Sequence, residues 1–112
     1  MSNPSKARGT AFETALVGWL QANGHPYAER RTLSGHNDRG DVAGIPGVVI
    51  EAKNCKTIQL AAWVDELAVE MGNAGVDIGA VVIRRRGTSD VGRSYAVMPL
   101  DVFNRLLTGE PT

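Results

Sequence analysis

Cysteine is nearly missing from this chain: Cys55 stands alone among 112 residues. No intrachain disulfide can form, and a reducing compartment is the expectation. With His25 and His36 it makes no zinc-type ligand spacing. No apolar run approaches the roughly 20 residues that a membrane span requires, so no membrane partner is expected. The opening "MSNPSKARGT" lacks the apolar core of a secretory leader, which again points to the cytoplasm. Repeats and low-complexity tracts are absent, which excludes solenoid and linker architectures. Net charge is missing too, because twelve Lys and Arg balance twelve Asp and Glu. Overall charge therefore gives no argument for nucleic acid.

What is present is a hydrophobic fraction of 43%. That suffices for one core and is too high for a disordered chain. The length fits a single domain over 1–112, with loose ends at about 1–6 and 108–112. The basic residues are also unevenly spread. Lys6, Arg8, Arg30, Arg31, Arg39, Lys53 and Lys56 lie in the first half, and Arg84, Arg85, Arg86 and Arg93 form a second cluster. Basic surface can exist locally at zero net charge.

Apolar spacing predicts a helix over 7–23, with Phe12, Leu16, Trp19 and Leu20 on its core stripe and Gly24 as its stop. Strands are expected at 27–33, 40–44 and 48–53, with the turn "IPG" between the last two. Thr57 is a candidate cap for a helix over 58–74, whose stripe is Leu60, Val64, Leu67, Ala68 and Met71. Trp63 falls off that stripe beside Gln59, Glu66 and Glu70, and is expected at the surface in a subunit contact. "GAVVIR" at 79–84 reads as a fully buried strand, "SYAVM" as a fifth, and "LDVFNRLL" as a last helix. The expected fold is α/β, in the order α-β-β-β-α-β-β-α, with one mixed central sheet of about five strands flanked by helices.

The segment "RGDVAGIPGVVIEAKNCK", residues 39–56, carries the chemistry. Along a strand, residues two apart share a face, so Glu51 and Lys53 point the same way. If Ile45-Pro46-Gly47 is a three-residue loop, Asp41 falls opposite Glu51. Cross-strand neighbours bring their Cβ atoms to about 4.5–5.5 Å. Two carboxylates that close repel unless a cation lies between them. Mg²⁺ is typically held by one or two carboxylates plus substrate phosphate, which is the number Asp41 and Glu51 supply. The Lys53 ammonium, on the same face, can orient a water or offset charge on a phosphoryl group. Glu13, on the edge of the first helix's stripe, is a candidate third carboxylate if that stripe packs on the sheet. Taken singly these residues are ordinary: E-x-K on a strand is usually a solvated ion pair, Asp41 a turn acid and Glu13 a surface acid.

Together, Asp41 … Glu51-Ala52-Lys53 with the helical Glu13 resembles the PD-(D/E)XK nuclease superfamily. Gly40 stands where the motif usually has proline. Within the superfamily, "KARGTAFETALVGWLQANG", Ser34-Gly35, "RGDVAG" and "VIEAKNCK" are similar to archaeal-type Holliday junction resolvases and their phage-encoded relatives, over residues 6–107. The resemblance implies a restriction-endonuclease-like fold and a Mg²⁺-dependent endonuclease, with Mn²⁺ as substitute, that acts on branched DNA, usually as a homodimer. It implies cytoplasmic location, in the host if the chain is phage-encoded, and no small-molecule cofactor. It also implies metal ligation by Asp41, Glu51, the Ala52 carbonyl and Glu13, with Lys53 catalytic and Ser34 on an active-site loop. Phosphate contacts are expected from Lys6 and Arg8 on an N-terminal arm, and from Arg31, Arg39, Lys56, Arg84, Arg85 and Arg86. The alternatives are a flap, single-strand or restriction-like nuclease of the same chemistry, or a DNA-binding module without catalysis. His25 reads as a turn residue and Cys55 as a partly buried thiol.

Overall fold

The computed structural model describes residues 4–31 and 37–109. The elements run α1 (Pro4–Ala22), β1 (Glu29–Arg30), β2 (Val42–Ala43), β3 (Val48–Lys53), α2 (Leu60–Ala74), β4 (Ile78–Ile83), β5 (Tyr95–Val97) and α3 (Leu100–Thr108), with a 3-10 turn at Val91–Arg93 before β5. The class is α/β in one compact domain. No helix among the described residues is long and apolar enough to cross a membrane.

The five strands form two sheets, not the single sheet expected from the sequence. β1 and β2 pair antiparallel, while β3, β4 and β5 form a second sheet with β4 in the centre. β2 is short because Gly40 and Gly44 flank it at φ 93° and 88°, outside the extended region. Contact between the sheets includes the Asp41 N–H, which donates to the Ile50 carbonyl at 2.8 Å, while Arg31 N–H donates to the Asp41 carbonyl at 2.9 Å. A Cβ at position 40 would meet the Ile50 carbonyl oxygen at 2.8 Å. Proline, locked near φ −65°, cannot adopt this backbone.

β3 and β4 pair in parallel, from Val48 beside Ile78 to Lys53 beside Ile83. Parallel neighbours need a crossover, and α2 provides it. The alternation of β3 then sets the two faces of the sheet. Val49 packs with Trp63, Leu67 and Met71 of α2, with Val81 and Ile83 of β4, and with Val102 of α3. Ile50 packs with Leu16, Val17 and Leu20 of α1, and with Ala28 and Val42. Gly79 lets α2 approach closely, since a Cβ there would lie 2.8 Å from Met71 Sδ.

Both tryptophan expectations are reversed. Trp63 is 5% exposed and belongs to the core, whereas Trp19 is 40% exposed and leans on Gly92 of the 3-10 turn. α2 presents the line Trp63, Leu67, Glu70 and Met71 to the sheet, leaving Leu60 and Ala68 exposed. The larger apolar area of the indole decides between two adjacent candidate faces. α2 also begins at Leu60 behind Gln59, with no side-chain cap, so Thr57 does not cap it. α1 begins at Pro4, which puts Lys6 and Arg8 on a helix and not on a loose arm.

Candidate metal centre

Glu51 and Lys53 share with Val49 the face of β3 that α2 covers. The apolar floor beneath them is set by Val49 and Leu67, at 1% and 0% exposure. Glu51 is therefore held where a charge is costly, and it is 6% exposed. Its carboxyl group meets two others, Asp41 from the β2 side and Glu70 from α2. Glu70 is 4% exposed. One oxygen of each glutamate, Glu51 Oε1 and Glu70 Oε1, is buried without a hydrogen-bond partner. Carboxylate oxygens of Asp38, Glu51 and Glu70 all lie within 4.8 Å of one another.

Two backbone contacts fix the acids around Glu51. Ala52 N–H donates to Asp41 Oδ2 at 2.8 Å, which turns the Asp41 carboxylate toward β3. Asp38 Oδ1 accepts from Gly40 N–H at 2.9 Å. The Asp38 carbonyl accepts from Asn73 Nδ2 at 2.9 Å, tying this loop to α2.

The electrostatics follow from burial and crowding. Burial raises Glu51 far above the ordinary carboxylate range, and its hydrogen bonds to Asp41 and Glu70 and their charges push the same way. Glu70 is raised chiefly by burial; Asp38, Asp41 and Glu66 add to the shift, while the hydrogen bond from Glu51 opposes it. Without a cation, burial and crowding favour protons on Glu51 and Glu70 in the folded chain. For Lys53, burial favours the neutral amine, but the Glu66 hydrogen bond and the charges of Glu51, Glu66 and Asp41 outweigh it and raise the group. Lys53 Nζ donates to Glu66 Oε2 at 3.1 Å and lies 5.6 Å from the centroid of the Trp63 ring.

Glu13 stands on α1, the helix that covers the other face of β3. It pairs with Arg30 Nε at 3.5 Å. Burial raises it, the Asp41 charge adds to this, and Arg30 opposes it. Asp41, at the edge between the sheets, thus has a glutamate on each side. The structure brings Asp41, Glu51, Ala52 and Lys53 together and sets Glu13 beside Asp41. Ser34 and His36 lie outside the described residues. Glu70 and Asp38 were missed by sequence reasoning. The signal for Glu70 was its position three residues after Leu67 and seven after Trp63, on one helix face; Asp38 offered only its nearness to Asp41.

The basic residues fall into separate patches. Lys56, Arg84, Arg85 and Arg86 line a groove of about 490 Å³ with Cys55, which is exposed, not partly buried. This groove opens past the ends of β3 and β4, where Arg84 N–H donates to the Lys53 carbonyl at 3.0 Å. Arg8 and Arg84 border a groove of about 370 Å³, and Arg31 and Arg39 border one of about 430 Å³. Lys6 is exposed on α1, and His25 is an exposed residue in the turn after it.

The three acids could hold a cation: Glu51 and Glu70 each bury one carboxylate oxygen without a partner, a ligand oxygen of each of the three lies within 4.8 Å of the others, and oxygen-only donor sets suit hard divalent ions in general. No protein-family model matches this chain, and neither do the curated proteins or the solved structures.

Proposed function

We propose that the chain is a metal-dependent endonuclease that hydrolyses DNA phosphodiester bonds, with four-way junctions as its preferred substrate. The observation that carries the reading is Glu51: a carboxyl group buried at the end of a parallel strand, crowded by Asp41 and Glu70, with Lys53 beside it on the same face. In open α/β sheets, ligands bind beyond the carboxyl ends of the strands, and both Lys53 and the Arg84–Arg86 groove lie there. The element order, with α1 and α2 on opposite faces of β3, supports a restriction-endonuclease-like arrangement.

In this reading Asp41, Glu51 and the Ala52 carbonyl hold Mg²⁺, or Mn²⁺ in its place, and Glu13 stands behind Asp41. The bound ion supplies Lewis acidity toward the scissile phosphate and makes water a better nucleophile. Ala52 N–H keeps Asp41 in place. Lys53 stays protonated, orients the attacking water and offsets charge on the phosphoryl oxygens. Water adds to phosphorus as the bond to the 3′ oxygen breaks, which leaves a 3′-hydroxyl and a 5′-phosphate. Lys6, Arg8, Arg31, Arg39, Lys56 and Arg84–Arg86 bind backbone phosphates and place the duplex arms without reading bases.

Paired nicks in a symmetric junction call for two copies of the site, and a two-fold homodimer provides them. The exposed Leu100, Phe103, Leu106 and Leu107 of α3 offer the contact, whereas Trp63 is removed from that role by its burial. The deciding experiment compares labelled four-way, flapped and linear DNA, in Mg²⁺ and in EDTA. Mg²⁺-dependent cutting of the junction above the others is the expected result. Cutting of flaps or linear DNA would move the reading to a related nuclease, and binding without cutting in any metal would reduce it to a DNA-binding module.

A further inference from the structure

We infer that the chain holds a divalent cation between Asp38, Glu51 and Glu70, on the α2 side of β3, so that α2 supplies a metal ligand and Glu51 belongs to two cation positions. This rests on the reading above only in sharing Glu51; it requires no activity on DNA.

Position 70 lies on the inner face of α2, in line with Trp63, Leu67 and Met71. An aliphatic residue there would bury apolar area at no electrostatic cost. The chain instead carries an acid, 4% exposed, and among the described residues no salt bridge joins it to a cation. The Lys53 ammonium is bonded to Glu66, and Arg30 is paired with Glu13. Glu70 Oε1 has no hydrogen-bond donor, and the same holds for Glu51 Oε1. A buried acceptor without a donor is among the costlier features a fold can keep. Two of them, with Asp38 completing a group of oxygens within 4.8 Å of one another, form a donor set that could hold a cation.

This position differs from that of Asp41. Asp41 Oδ2 is committed to Ala52 N–H, and Asp41 approaches Glu51 from the β2 side. Asp38 and Glu70 approach from the α2 side. Asn73, on the same helix as Glu70, holds the Asp38 backbone at 2.9 Å. One helix thus places both outer ligands, one through its own side chain and one by anchoring a loop. Three carboxylates with water completing the shell suit a hard cation such as Mg²⁺, Mn²⁺ or Ca²⁺.

The test is cation binding by the full chain without DNA. Free Mn²⁺ is followed by electron paramagnetic resonance during titration, and the melting temperature is read in EDTA and in Mg²⁺. Replacing a ligand should weaken Mn²⁺ binding by roughly tenfold or more, since even groups that only orient ligands cost 10–100-fold. Glu70→Gln and Asp38→Asn should show that loss, and Asp65→Asn, an exposed acid on the same helix, should bind as the parent does. Glu70→Gln should melt no lower than the parent in EDTA, because a neutral amide replaces a buried acid, but should gain less in melting temperature than the parent does on adding Mg²⁺. A merely structural glutamate would not give that pair of results. Parental Mn²⁺ affinity in both Glu70→Gln and Asp38→Asn overturns the inference. So does a parent chain that binds no Mn²⁺ at millimolar concentration, with Glu51 and Glu70 sharing a proton instead. Mn²⁺ binding that depends on Glu70, in a chain that cuts no DNA, supports this site and overturns the nuclease reading.

Discussion

The two faces of β3 are built alike and filled differently. Val48, Ile50 and Ala52 meet α1, and that side is aliphatic throughout. Val49, Glu51 and Lys53 turn toward α2, and on that side the apolar row stops halfway. Each covering helix also carries a glutamate near the centre. Glu13 of α1 is partly exposed and paired with Arg30, while Glu70 of α2 is buried with an oxygen lacking a donor. A charge that has its own counterion is accounted for by folding alone. A buried carboxyl group with no salt bridge among the described residues needs a further reason, and the α2 face has two of them, Glu51 and Glu70.

Breaking the α2 face at its centre should have the largest effect. Glu51→Gln, Asp41→Asn and Lys53→Ala should each abolish cleavage, while junction affinity should stay within about tenfold, or about 1.4 kcal/mol, as the proposed dispersed phosphate contacts would dictate. Gel-based cleavage and filter binding on the same preparations check both halves.

Exchanging the two glutamates in turn sharpens the comparison. Glu70→Gln should impair Mg²⁺-supported cleavage more than Glu13→Gln does, since Glu70 faces Glu51 directly and Glu13 stands beside Asp41 behind an ion pair. Equal losses would erase the distinction between the faces.

The third consequence concerns pH. Glu51 and Glu70 are raised from an ordinary value of 4.5 in the folded chain. Above that pH the unfolded chain releases protons that the folded chain keeps, so the folded state binds more protons and stability falls as pH rises. Lys53 is raised too, but it is protonated in both states below pH ~10 and adds no slope there. In EDTA, denaturant midpoints should fall between pH 5 and pH 8 by an amount that shrinks in Glu70→Gln, and Mg²⁺ should flatten the fall.

Much of the α2 face was legible in the sequence. Period-two alternation puts Glu51 and Lys53 together; the turn at Ile45–Gly47 predicts Asp41 opposite Glu51 in a hairpin pair, whereas β2 pairs with β1 and Asp41 reaches β3 through its N–H bond to the Ile50 carbonyl. The division into two sheets was not legible, because it depends on positive φ at Gly40 and Gly44, which composition does not specify. Nor was Glu70. Its recognition required knowing that α2 turns Trp63 inward, and the aliphatic stripe of Leu60, Val64 and Ala68 pointed to a neighbouring face. Once Trp63 was placed outside, Glu70 went with it. Glu13 does lie on the edge of the α1 stripe, as its spacing predicts, but α1 covers the face of β3 away from Glu51.

The smallest effect is expected from the basic grooves. Arg85→Ala should weaken junction binding alike for all base sequences and lower the slope of log affinity against log salt by about 0.9 if it neutralises one phosphate. An effect that varied with sequence would assign the groove to base reading.

One measurement tests the central claim most directly: parent and Glu51→Gln, incubated side by side with a labelled four-way junction, in Mg²⁺ and in EDTA, with binding measured on the same samples. 5′-Phosphorylated products are expected from the parent in Mg²⁺ only, and none from Glu51→Gln, which should still bind the junction. Equal cleavage by both proteins, or cleavage by the parent that persists in EDTA, would contradict that claim.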